Sequence, residues 1–137
     1  MREDPLRDRT VLVIEDDEEY REIVQRLVAS LGARVLTASN GLNALRQMEL
    51  GPPDLILCDL TMPIMDGLAF ARQVRAHPGY RRMLLVAVTA RGSESDLLAT
   101  WSEGFDAHVV KPVTIEALRV IARRLSGPAA AESSSCA

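Results

Sequence analysis

The sequence has no apolar run near the roughly 20 residues that a helix needs to cross a bilayer, and its start, MREDPLRDRT, lacks the apolar stretch of a secretory signal. Membrane insertion is not expected, and the expected location is cytoplasmic. Cysteine is scarce: of the two, Cys58 lies inside an apolar run and Cys136 near the end, with neither metal-ligand spacing nor a reason to pair. That excludes a disulfide scaffold and agrees with a reducing compartment. A basic excess is also missing. With a formal net charge of -3, the chain offers no broad positive field to phosphate backbones or anionic lipid, although Arg81, Arg82, Arg123 and Arg124 can form local patches. Nucleic acid is not an expected partner.

What is present is an ordinary globular composition. In 137 residues, 47% are apolar and 26% charged, which suits one domain able to bury its own core and argues against disorder or a fibrous repeat. Thr10 to Ile14 (TVLVI) reads as a strand stopping at Glu15, Asp16 and Asp17. From Glu18, apolar residues recur at three and four as far as Leu31, with Gly32 where a helix C-cap belongs. Arg34 to Ala38 is a second strand. Leu42 to Leu50 is a second helix, entered at Asn40-Gly41 and ended by Gly51-Pro52-Pro53. Asp54 to Leu60 (DLILCDL) is a third strand, followed by a helix over Gly67 to Ala76. Met83 to Thr89 is a fourth strand, a helix is expected around Ser95 to Glu103, Ala107 to Val110 is a fifth strand, and Thr114 to Leu125 a last amphipathic helix. Five strands apolar through their length, each followed by a helix, predict a doubly wound α/β fold with a parallel sheet covered on both faces. We take residues 1–9 as a charged arm, 10–126 as the folded unit and 127–137 as a flexible tail or linker.

Right-handed crossovers put the C-terminal ends of all the strands along one edge, where ligands bind. The polar residues that end the apolar runs therefore share that edge: Glu15 and Asp16 after strand one, Asp59 after strand three, Thr89 after strand four and Lys111 after strand five. If strands one and three are neighbours, a spacing of about 4.8 Å lets Asp16 and Asp59 share one hard cation. Crowded carboxylates resist ionising unless a cation sits among them, and magnesium suits a few carboxylates plus a phosphate.

These residues match a pattern. The acidic pair in VIEDD, the loop LCDLTMPIMDG, VTA ending strand four and VKP ending strand five resemble, in order and spacing, response regulator receiver domains, from about Thr10 to Leu125. The resemblance implies the flavodoxin-like strand order 2-1-3-4-5 with five helices in three layers. It implies that Asp59 accepts a phosphoryl group from a sensor histidine kinase or a histidine phosphotransfer protein. Magnesium would be held by Asp16, Asp59 and the backbone carbonyl of Thr61, with Glu15 acting through coordinated water, and Lys111 would face the same oxygens. The Lys111-Pro112 bond is a candidate cis peptide. Thr89 is the implied switch hydroxyl, Arg91 and Thr61 flank the phosphate, and His108 stands where the family has an aromatic residue. Helix one, with Arg21 and Arg26 among its exposed charges, would face the kinase. The helix around 95–103, strand five and the last helix would present the output surface to a downstream protein, and the chain is expected to be a monomer or weak dimer.

Each residue also has a plain structural reading. Asp17 can be the cap of helix one, Asp59 a turn residue before Met62-Pro63, and Asp66-Gly67 a helix start. Thr89 can be an ordinary strand residue and Lys111 a surface lysine before Pro112. Their joint occurrence on one edge favours a site. Cys58 should point into the core, Trp101 should pack with Leu97 and Leu98, Met62 and Met65 can cover the sheet edge, and His77 reads as a solvated helix end. Two other functions compete. A haloacid-dehalogenase-type phosphatase also uses an aspartyl phosphate and magnesium, but its further aspartate two residues on is Thr61 here. A receiver-like binding module independent of phosphorylation would not need the intact acidic pair, Asp59, Thr89 and Lys111.

Overall fold

The computed structural model describes residues 4–60, 64–80, 82–90 and 104–126. Its strands are β1 (Thr10–Ile14), β2 (Arg34–Ala38), β3 (Leu55–Asp59), β4 (Leu84–Thr89) and β5 (Ala107–Val110). Between and after them lie α1 (Glu18–Ser30), α2 (Gly41–Met48), α3 (Gly67–Ala76) and α4 (Ile115–Ser126), with a 3-10 turn at Pro78–Tyr80. All strand pairs are parallel, and the order is β2-β1-β3-β4-β5. The doubly wound fold expected from the pattern of elements and the strand order implied by the resemblance are both observed. The helix expected around 95–103, with Trp101, and the segment 127–137 lie outside the described residues.

Alternation along each strand divides the core into two layers. Leu12, Ile14, Ile56, Cys58, Leu85 and Ala87 point to one face, where Phe70, Ala71 and Val74 of α3 and Ala44 and Met48 of α2 cover them. Val11, Val13, Leu55, Leu57, Val86 and Val88 point to the other, against Val24 and Val28 of α1 and Leu118 and Ile121 of α4. The central strand β3 is buried at every position, as a parallel strand covered on both sides must be.

Local chemistry sets the helix ends. Asp17, Asn40 and Asp66 each accept a backbone N–H from the first turn of α1, α2 and α3, and so satisfy one of the orphan donors there. After α1 the chain turns through Gly32 at φ +100°, a left-handed conformation that glycine adopts without steric cost. Helix α2 stops at Met48 rather than Leu50. Leu50 is 90% exposed, so no core contact holds a further turn.

The segment 4–9, read from the sequence as part of a charged arm, is anchored by its one aliphatic residue. Leu6 is fully buried in the α1/α4 layer, and its N–H donates to the Leu31 carbonyl at 2.9 Å. Arg9 extends the anchor, donating through Nη2 to the Leu125 carbonyl at 2.7 Å and pairing with Asp54 at 3.6 Å.

At the amino edge of the sheet, Arg75 of α3 ties several elements together. Its guanidinium donates to the Gly104 carbonyl at 2.8 Å, to the Met83 carbonyl at 3.3 Å and to Asp106 Oδ2 at 2.6 Å. Asp106 Oδ2 also accepts the Leu85 N–H at 2.8 Å, and its carbonyl accepts from Arg124 of α4. Among the described residues no helix is long and apolar enough to cross a membrane.

Candidate functional site

The site is assembled where β1 and β3 end side by side, Ile14 being in register with Cys58. Beyond β1 the Glu15 N–H continues the ladder to the Ala38 carbonyl at 3.0 Å, which fixes the backbone of the acidic pair. Glu15 Oε2 accepts the Asp17 N–H at 3.1 Å, and Asp17 in turn caps α1 by accepting the Tyr20 N–H. Asp17 is therefore a cap, and the two acids before it are left for other work.

Ligand oxygens of Glu15, Asp16 and Asp59 lie within 4.8 Å of one another. Glu15 is 3% and Asp59 6% exposed, whereas Asp16 faces solvent. Among the described residues, one cation meets them. Lys111 Nζ is 3.1 Å from Glu15 Oε1 and 3.8 Å from Asp59 Oδ1. Three carboxylates against one ammonium, counted among the described residues, leave an excess of negative charge when all are ionised, and the donors are hard oxygens. That set fits a divalent cation such as magnesium, which binds few carboxylates and keeps room for a phosphate oxygen.

The electrostatics show the crowding. Burial pushes the Glu15 carboxyl above its ordinary value; the Asp17 N–H and Lys111 pull it back, and the Asp59 charge adds to the rise. For Lys111 burial works against the charged form, but the hydrogen bond to Glu15 and the charges of Asp59 and Glu15 outweigh it, so its proton is held more tightly than usual. Cys58, beside Asp59, is fully buried. Burial, followed by the charges of Asp59, Asp66 and Glu15, pushes its thiol well up, which makes it a neutral core residue.

Tyr20 is the residue that sequence reasoning missed. Its spacing marks it only as an apolar position of helix one, but its hydroxyl accepts the Val113 N–H at 2.8 Å, and Lys111 Nζ lies 4.8 Å from its ring centre. Nothing in the spacing marks a contact across 93 residues. The Lys111-Pro112 peptide is cis, as the sequence proposed. Lys111 itself is pinned by its N–H to the Thr89 carbonyl at 2.7 Å.

Thr89 ends β4 and is buried, and its Oγ1 lies 3.5 Å from His108 Nε2 on the adjacent strand. Asp59 is in register with Val88, one residue before it. Gly67 belongs to the site by close approach. A Cβ there would lie 2.8 Å from the Asp59 carbonyl oxygen and the Leu60 Cα, so only glycine lets α3 start this near the end of β3. Arg21, expected to be exposed, is half-buried and donates to the Glu15 carbonyl at 2.9 Å; Arg26 is exposed. Thr61, Met62 and Arg91 lie outside the described residues.

Fold and edge together define a class. Residues 11–123 match the response regulator receiver domain family. The chain belongs to that family, whose members are the signalling switches of two-component systems. It is 35% identical over 119 residues to the sensor histidine kinase CheAY of Helicobacter pylori, covering 85% of this chain and 15% of that protein. It is 35% identical over 127 residues to the response regulator MprA of Mycobacterium leprae, covering 90% of this chain and 55% of the relative. The chain thus spans a small part of the first and about half of the second. Among solved structures, the receiver domain of the sensor histidine kinase PA1611 from Pseudomonas aeruginosa PAO1 carries a magnesium ion in its active-site cleft. It superposes with a TM-score of 0.79 at 29% identity, over 85% of this chain and 96% of that one. The chemotaxis protein CheY4 of Vibrio cholerae gives 0.80 at 27% identity, over 85% and 98%.

Proposed function

We propose that this receiver domain, residues 10–126, takes a phosphoryl group onto Asp59 from a phosphohistidine of a sensor histidine kinase or histidine phosphotransfer protein. The observation that carries the reading is the convergence of Glu15, Asp16 and Asp59 within 4.8 Å, faced by Lys111. In this reading an Asp59 oxygen attacks phosphorus, the bond from phosphorus to the donor imidazole nitrogen breaks, and its electron pair stays with the imidazole. Lys111, poised between Glu15 and Asp59, meets the negative oxygens of the incoming group. Asp16, Asp59 and the backbone carbonyl of Thr61, with Glu15 acting through coordinated water, would hold magnesium, which when bound neutralises charge on the transferring oxygens. The Thr89 hydroxyl then donates to a phosphoryl oxygen instead of resting beside His108. Output is a changed protein-binding surface read by a downstream protein, and the working location is the cytoplasm. The only turnover is the chain's own phosphorylation and dephosphorylation.

The test is mass spectrometry after incubation with phosphoramidate and magnesium. One phosphoryl group is expected on the wild type and none on Asp59→Asn. An unchanged wild-type mass, with the fold intact by circular dichroism, would overturn the reading.

A further inference from the structure

The carboxyl end of β2 opens into a second concavity that phosphoryl transfer does not use. It measures about 480 Å³ and lies between the start of α1 and α2, with Arg21, Ser39, Asn43, Arg46, Gln47 and Leu50 in its wall. The volume falls within the roughly 300–1,000 Å³ of small-molecule sites. No described residue lining it is acidic, in a chain with 19 Asp and Glu against 16 Lys and Arg.

Its wall is built in advance. Asn43 Nδ2 donates to Ser39 Oγ at 3.1 Å, and Gln47 Nε2 donates to the Thr37 carbonyl at 3.0 Å, so both amides are held in place. Arg21 spends one N–H on the Glu15 carbonyl at 2.9 Å, and a guanidinium has five. Arg46 is exposed and is engaged in no ion pair among the described residues. Leu50, 90% exposed, adds an apolar rim. Two guanidiniums in the wall beside an apolar rim, with no carboxylate among the lining residues, suit an anion carried on an organic body. The geometry points to a binding site for a small organic phosphate, clamped by Arg21 and Arg46 with its apolar part on Leu50. Through the Arg21 bond to Glu15 the site also touches the strand end that carries the acidic cluster.

The experiment titrates phenyl phosphate into the whole chain without magnesium, following amide resonances. Shifts are expected at 37–39 and 43–50, with the dissociation constant about ten-fold weaker in Arg46→Gln, the loss of one charge-assisted hydrogen bond. Shifts centred on Asp59 and Lys111, or equal affinity in Arg46→Gln, would overturn the site. So would a response to a glutamate-rich peptide where phenyl phosphate gives none, which would assign the arginines to a protein partner.

Discussion

Glu15 and Lys111 are both raised by folding, and the sign of each effect on stability follows from linkage. A group whose value is raised contributes stability that is full below its unfolded value and is lost as pH climbs through its folded value. For Lys111, held by Glu15 and Asp59 against the cost of burial, that loss begins only above the ordinary lysine range. For Glu15, raised chiefly by burial, it begins above the ordinary carboxylate range, so near neutral pH the ionised carboxylate is the strained form. A cation among the carboxylates favours the ionised form and must displace the Glu15 proton where that proton is still bound. Magnesium affinity, measured by isothermal titration calorimetry, should therefore weaken as pH falls from neutral toward the ordinary carboxylate range, and the slope should be shallower in Glu15→Gln. Equal slopes in the two proteins would assign the pH dependence to other carboxylates and remove Glu15 from the proposed metal set.

At the scale of elements, the strands were legible because each is a short apolar run ended by polar residues, and β1, β2 and β5 begin and end where the pattern placed them. The helices were legible by period and by their Asp and Asn caps. The acidic pair, Asp59, Thr89 and Lys111 were legible because strand ends must share an edge. What stayed hidden is contact that no spacing marks: Tyr20 under Lys111 and the docking of the segment 4–9, both between residues distant in sequence, and Arg21 turning back onto the nearby Glu15 carbonyl. That segment has charged neighbours on both sides of a lone leucine, a pattern with no period to read. Its burial makes a measurable demand. Leu6→Ala should cost about 2–5 kcal/mol in urea unfolding, the range for a leucine removed from a core. A loss under about 0.5 kcal/mol, ordinary for surface substitutions, would mean that the segment does not contribute to the fold.

The whole molecule divides its labour between the two edges of the sheet. Among the described residues the carboxyl edge concentrates negative charge, three carboxylates facing one lysine. The amino edge carries charge that is already satisfied: Arg75 is bonded to Gly104, Met83 and Asp106, and Asp106 holds Leu85 and Arg124. Residues at that edge join α3, β4, the approach to β5 and α4, so they should govern stability without touching phosphoryl transfer. Arg75→Ala leaves Asp106 and two carbonyls short of a donor at a site where the pair is 23% and 33% exposed. The expected cost is about 2–3 kcal/mol, below that of a fully buried pair. Below its lowered melting temperature the variant should still take up a phosphoryl group from phosphoramidate at the wild-type rate. A slowed reaction in a fully folded Arg75→Ala protein would show that the amino edge positions the site, through Gly104 and the strand that follows it, and that the division between the edges does not hold.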